Sequence, residues 1–287
     1  MTIITTTAHA TMAAPLIHRA ITPTQPATRH RGADVAALPA AIRSEWIKLR
    51  SLRSTPAILG VTAIIGVLLS LILAVLVKTD PMTHVEFTIG QTFIFSTWLS
   101  TVLAVVMGTL LFTSEVQHAT LSTALSAQPA RWLIVAAKVT IGCCLGLVMG
   151  ILGMIAGLGG AVIGGLKAGH TSSMASTALW GLLLTSLAPL LGLGVGMIIR
   201  HSAAAASTVL VWALVIENLI KGFAPGTVSR WLPFSAANGL LGIRAAGDST
   251  ATLAVALSRT QDAFLFSGYS IVAIAAGTVL LYRRDTN

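Results

Sequence analysis

The sequence predicts an all-α integral membrane protein with six transmembrane helices, and three observations lead there. Only 9% of the 287 residues are charged while 55% are hydrophobic, much less charge than a water-facing surface requires. The apolar residues come in uncharged runs of roughly 20, the length that crosses about 30 Å of hydrocarbon. The basic residues, which give a net charge of +9, gather beside alternate runs instead of forming one polyanion-binding face.

The expected spans are residues 57–77, 92–113, 139–166, 178–199, 202–216 and 263–282. Pro189 sits near the middle of the fourth and predicts a kink there, because proline removes a helical donor and frees a carbonyl. The fifth run is short and hardly separated from the fourth. The third carries a glycine ridge: Gly142, Gly146, Gly150, Gly153 and Gly157, continued by Gly160 and Gly164. Steps of four and three keep these on one helix face, where another helix can pack with its backbone close. Gly192, Gly194 and Gly196 in the fourth span read the same way. The adjacent Cys143 and Cys144 point about 100° apart on a helix, which disfavours a disulfide between them and suits small buried apolar residues.

Residues 1–38 are rich in Thr, Ala and Pro, with no helical period and no signal-peptide core, and read as a disordered cytoplasmic tail. Residues 39–287 form the membrane domain. Near its start Ile42, Trp46 and Leu49 share one helix face, while Arg43, Lys48, Arg50 and Arg53 occupy the rest beside Glu45. A basic amphipathic helix of this kind lies in the membrane interface before Pro56 opens the first span. Six crossings put Arg43, Lys48, Arg50, Arg53, Arg131, Lys138, Arg200, Arg283 and Arg284 on one side. In this reading Arg131 and Lys138 belong to the connection before the third span. The charge bias near the membrane favours both termini in the cytoplasm, in a plasma membrane with anionic lipid, and no nucleic-acid role.

Residues 220–262 fall on the outer side. Trp231-Leu232-Pro233-Phe234 suits an interfacial anchor, and Asp248-Ser249-Thr250 opens a short helix, so short helices on or in the outer leaflet precede the last span. Glu217 and Asn218, at the outer end of the fifth span, are candidate outer-gate contacts. Against that reading, Glu217 with Lys221 at i, i+4 suits a solvated helix end.

Catalytic chemistry is hard to place. The spans hold almost no ionisable group, although such groups mark ion-coupled or catalytic paths in membranes. Glu115 and His118 lack the further ligands of a zinc site, and His201-Ser202 has no acid partner nearby. The segment from Gly242 to Ser249 has phosphate-loop glycine spacing, but Asp248 stands where a lysine must meet phosphate. No metal or cofactor is expected on the chain itself.

Two motifs carry a family resemblance. The first is Ser44-Glu45-Trp46-Ile47-Lys48-Leu49-Arg50-Ser51 with Arg53-Ser54-Thr55. The second is Ser114-Glu115 followed by His118-Ala119-Thr120-Leu121 and closed by Pro129-Ala130-Arg131. With the span pattern over residues 41–284, they resemble the membrane subunit of type 2 ATP-binding-cassette exporters, although Ala119 stands where that family usually has glycine. The resemblance implies a permease paired with a second permease, identical or not, and with cytoplasmic ATPase subunits that carry the Mg-ATP. It implies that Ser114, Glu115, His118, Ala119, Thr120, Pro129 and Arg131 belong to a cytoplasmic coupling helix between the second and third spans. The nearly uncharged interior suits a hydrophobic or amphipathic cargo. The competing readings are a secondary carrier, which should show internal repeats and buried acids, and a non-transporting membrane anchor or scaffold.

Overall fold

The computed structural model describes residues 37–51, 54–79, 89–117, 131–166, 171–243 and 256–284, and among them all regular structure is helical. In chain order the helices are α1 (Leu38–Ser51), α2 (Ser54–Thr79), α3 (Ile89–Gln117), α4 (Arg131–Ile163), α5 (Thr171–Ile199) and α6 (Ser202–Val211). A π-helical turn (Trp212–Ile216) joins α6 to α7 (Glu217–Phe223). After it come α8 (Gly226–Ser229), α9 (Pro233–Leu241) and α10 (Arg259–Arg284). Six segments are long and apolar enough to cross a membrane: α2, α3, α4, α5, the run Ser202–Phe223, and α10.

The middle of the bundle belongs to α3 and α5. Both are 61% buried along their most apolar stretch, against 22% for α2, the run Ser202–Phe223 and α10. α5 packs against α3, α4, α6, α9 and α10, while α2 leans on α3 and α4. The outer face of α2 shows Ile64, Leu68, Ile72 and Leu76 at four-residue steps, a stripe suited to hydrocarbon.

Glycines let the backbones approach this closely. A Cβ on Gly192 or Gly196 would strike the backbone of α3 at Val105 or Thr109, while one on Gly194 would strike α10 at Ala273. α5 is thus clamped from two sides. The α4 ridge, expected to face one helix, serves three in succession. Gly146 and Gly150 abut Thr185 of α5, Gly153 and Gly157 abut Ser100 and Ser96 of α3, and Gly160 and Gly164 abut Val67 and Ala74 of α2. Gly142 makes only ordinary contacts, the nearest at 3.6 Å. The spacing averages slightly more than 3.6 residues per turn, so the ridge drifts around α4 as it climbs.

Pro189 lies inside a helix that continues through it. It leaves the Thr185 carbonyl without its helical donor, and a Cβ on Gly146 would fall on that oxygen. The opposing backbone of α4 therefore covers the break. Between α5 and α6 the chain turns within two residues, and Arg200 adopts the left-handed conformation (φ 60°) normally left to glycine.

The structure corrects several boundaries. The third span starts at Arg131, about two turns before the expected 139, so Lys138 is helical and not in a connection. The fifth span does not end at 216 but continues through the π-turn to Phe223. Cys144 is exposed on the helix surface instead of buried, and Cys143 is half-buried. The proposed tail up to residue 36, the expected helix start at residues 248–250 and most of the phosphate-loop look-alike lie outside the described residues; Gly242 ends α9 in a left-handed turn (φ 72°).

These contacts set a substitution test. Gly146→Ala should lower the detergent-solubilised melting point, with an overpacking cost of about 1–3 kcal/mol. Gly159→Ala, which meets nothing within 4 Å on the same helix, should be neutral or add up to about 1 kcal/mol through helix propensity.

Candidate functional site

Four charges meet where α1, α3 and α4 converge. Glu45 and Lys48 lie one turn apart on α1, Glu115 is in the last turn of α3, and Lys138 is on the second turn of α4. The Lys138 ammonium is 2.8 Å from Glu45 Oε2 and 2.9 Å from Glu115 Oε1, and it donates to the Leu111 carbonyl at 3.2 Å. All three of its protons are therefore used. Lys48 bridges the same carboxylates from the rim, 2.7 Å from Glu45 Oε1 and 3.0 Å from Glu115 Oε1. Lys138 is 2% exposed and each glutamate 8%, so this is a buried, charge-balanced cluster and not a solvated edge.

Local structure puts each group there. The stripe of α1 that faces the bundle is Ala41–Glu45–Leu49, with Ile42 partly covered, and not the Ile42–Trp46–Leu49 face. Trp46 and Ile47 are exposed, as are Arg43 and Arg50, which leaves α1 an outward face of aromatic, aliphatic and basic side chains. Ala41 packs with Leu133 and Ala137 of α4, bringing Glu45 within reach of Lys138. The α1–α2 corner is closed by Thr55, whose hydroxyl donates to the Leu49 carbonyl at 2.9 Å.

Glu115 stands at a helix C-terminus, where the backbone dipole disfavours a carboxylate. Lys138, bonded to both Glu115 and the Leu111 carbonyl one turn earlier, offsets the mismatch. For Glu45, burial alone would raise the carboxyl, but Lys138 and then Lys48 outweigh it and hold the group below its ordinary 4.5. For Lys48, burial would lower the ammonium, but its bonds to Glu45 and Glu115 hold it above its ordinary 10.5. Glu45 and Lys48 are therefore both charged in neutral solution.

Neighbouring groups extend the junction. Ser114 donates to the Leu110 carbonyl of its own helix (2.6 Å). Gln117, the final residue of α3, accepts from Ser202 at the start of α6 (2.8 Å), and His201 accepts from the Ala204 amide to cap α6. Arg131 opens α4. His118, Ala119, Thr120 and Pro129, with the rest of the expected coupling helix, lie outside the described residues, as does Arg53. Among the described residues no three His, Cys, Asp or Glu side chains gather where they could hold a metal.

The opposite end of the bundle holds a second buried carboxylate. Glu217 is not at a solvated helix end: it is 0% exposed, lies 3.5 Å from Lys221 and accepts from the Phe234 amide at 3.0 Å. Asn218 donates to the Leu214 carbonyl at 2.9 Å on its own helical run. Sequence reasoning counted Lys138 only as an orienting charge in a connection and underrated the burial of Glu45 and Glu217. The visible signal was a lysine and an acid each within helical reach of an apolar run.

Two stability measurements follow. Removing one partner of a buried pair strands the others, so Lys138→Met should destabilise by about 3–5 kcal/mol, read as a fall in melting point. The wild-type contribution of Glu45, whose folded value is depressed, is present above 4.5 and is lost as pH falls through that lower value. That of Lys48, whose folded value is raised, is present below 10.5 and is lost as pH rises through the higher one. These two contributions should therefore stay constant between those limits, and that of Glu45 should be lost in acid. In Lys138→Met, mild acid should instead recover stability, because buried Glu45 loses the partner that chiefly held its carboxyl down and then gains from protonation.

No curated protein matches the chain. Residues 41–228, well over half of the 287, match the family described as ABC-2 family transporter protein. That match begins in α1 and takes in all four charges of the junction together with α2 to α7. The chain is a multi-pass membrane protein and belongs to the ABC-2 family of transport permeases.

Proposed function

We propose that this permease is the path-forming subunit of an ATP-driven exporter, coupled to a separate cytoplasmic ATPase through the segment that follows α3. One observation carries the reading: the interface helix, the end of α3 that leads into residues 118–130, and the start of α4 that follows them are locked together by the Glu45–Lys48–Glu115–Lys138 cluster. A push on residues 118–130 reaches both flanking helices at once. The buried ion pairs then make α1 move with them as one rigid piece, since separating the charges would leave them unpaired in a low-dielectric setting.

The remaining features are consistent with this account. Basic residues beside α1, α4, the α5–α6 turn and the end of α10 support cytoplasmic termini in a plasma membrane. The exposed apolar and basic face of α1 suits an anionic lipid surface. Mg-ATP would bind the partner ATPase, two permeases, identical or different, would complete the path, and the apolar walls suit a hydrophobic or amphipathic cargo.

The test is a charge swap in the permease–ATPase complex. Glu115→Lys or Lys138→Glu alone should reduce permease-stimulated ATP hydrolysis about 5- to 150-fold, the usual span of an inter-site coupling. The double variant Glu115→Lys/Lys138→Glu, which restores one opposite pair, should recover part of it. Normal stimulation in both single variants, with the complex intact, would refute coupling through the cluster.

A further inference from the structure

At the end of the bundle away from the four-charge junction, α9 is wedged between α3, α5 and α10. Phe234, Ala236, Ala237, Leu240 and Leu241 bury its inner face. Its C-terminus closes at Gly242 in the left-handed conformation, with the Arg259 guanidinium beside it, and Asp262 of α10 presses against Gly239. Its N-terminus is different. The capping position is held by Leu232, whose side chain cannot accept a bond, so the orphan Phe234 amide is met by Glu217 from another helix. A Ser or Asp at 232 would satisfy that amide locally without burying a carboxylate. The remote cap has a separate consequence: the N-terminus of α9 is capped only while α7 is rotated to aim Glu217 at it.

That rotation is set by the π-turn. The Glu217 amide bonds to the Trp212 carbonyl five residues back, so one more residue is accommodated than in an α-helix. Everything beyond is offset by about 100° from the regular register. Asn218 stitches the widened turn: its side-chain amide donates to the Leu214 carbonyl at 2.9 Å and lies 3.5 Å from that of Ala213.

We propose that α9 is a removable wedge, that Glu217 is its latch, and that the π-turn held by Asn218 is the hinge that aims the latch. Reversion of the turn to α-helix swings Glu217 by about 100° and frees the N-terminus of α9. Glu217 and Asn218 are thus positioning residues for opening this end of the permease. The inference goes beyond the ATPase coupling and does not depend on it, since it concerns docking of α9 in the isolated chain.

The test uses the full-length chain in lipid nanodiscs, with Cys143 and Cys144 replaced by alanine and a Ser235→Cys reporter on α9, where the native hydroxyl is buried. The readout is the rate of labelling by a water-soluble maleimide. Asn218→Ala and Glu217→Ala should each speed labelling roughly two- to twelve-fold, the factor one hydrogen bond is worth. The double variant should label no faster than Glu217→Ala, because Asn218 acts through Glu217. Glu217→Gln, which keeps an acceptor, should restore most of the protection. If Glu217→Ala does not fold, Leu232→Ser, which caps the Phe234 amide locally, should cancel the effect of Asn218→Ala. Unchanged labelling in Asn218→Ala, or multiplying effects in the double variant, would overturn the proposal.

Discussion

An ammonium taken out of water must be met by charge and by hydrogen bonds, and Lys138 is met on all three protons by groups from two other helices. That requirement fixes α1, α3 and α4 at one point. If α1 lifts away, Glu45 leaves; if α3 rotates, Glu115 and the Leu111 carbonyl leave together. Replacing such a cluster by well-packed apolar residues is often neutral or even stabilising. Its worth to the molecule is thus better sought in specificity and force transmission than in net stability. It holds three elements in one relation, and two of them flank the segment through which we propose that ATP energy enters.

The rest of the bundle suits a body that moves in pieces. Where helices must stay together, glycine and small hydroxyl residues bring backbones into direct contact: α4 runs its ridge across α5, α3 and α2 in turn, and α5 accepts α3 on one side and α10 on the other. In a bilayer these contacts rely on close packing, because lipid tails are as apolar as leucine and supply no drive toward burial. Where polar groups are buried at the far end, at Glu217 and Asp262, they sit against the ends or backbone of one short helix instead of joining two spans. The two ends of the molecule thus use buried charge differently, one as a rivet and one as a latch.

Much of the architecture could be read from the sequence, because uncharged length is a direct consequence of bilayer thickness. The limits of α4 could not. A lysine ordinarily ends a span, and the partners that let Lys138 lie inside the helix are 93 residues away at Glu45 and in the last turn of α3. The Glu45–Lys48 pair had a local signature; its burial had none, because α1 turns an acid toward the bundle and a tryptophan away. At Glu217 the i, i+4 lysine was visible, but the deciding partner is a backbone amide 17 residues later. The fifth span looked too short because Glu217 closes the uncharged run, although the helical run continues past it to Phe223. The resemblance in residues 44–55 and 114–131 led to the family before any geometry was known, although part of the second motif falls outside the described residues.

The most direct test of the central claim is to lock the junction and ask whether the machine still runs. Ala41→Cys and Ala137→Cys, neighbours in the α1–α4 contact, would be cross-linked in a chain lacking Cys143 and Cys144, and transport by the reconstituted permease–ATPase complex measured before and after reduction. If the charged junction travels as one rigid piece, the cross-linked complex should transport at the rate of the reduced one. Transport abolished by the cross-link and restored by reduction would mean that α1 and α4 must separate during the cycle, and would contradict the account.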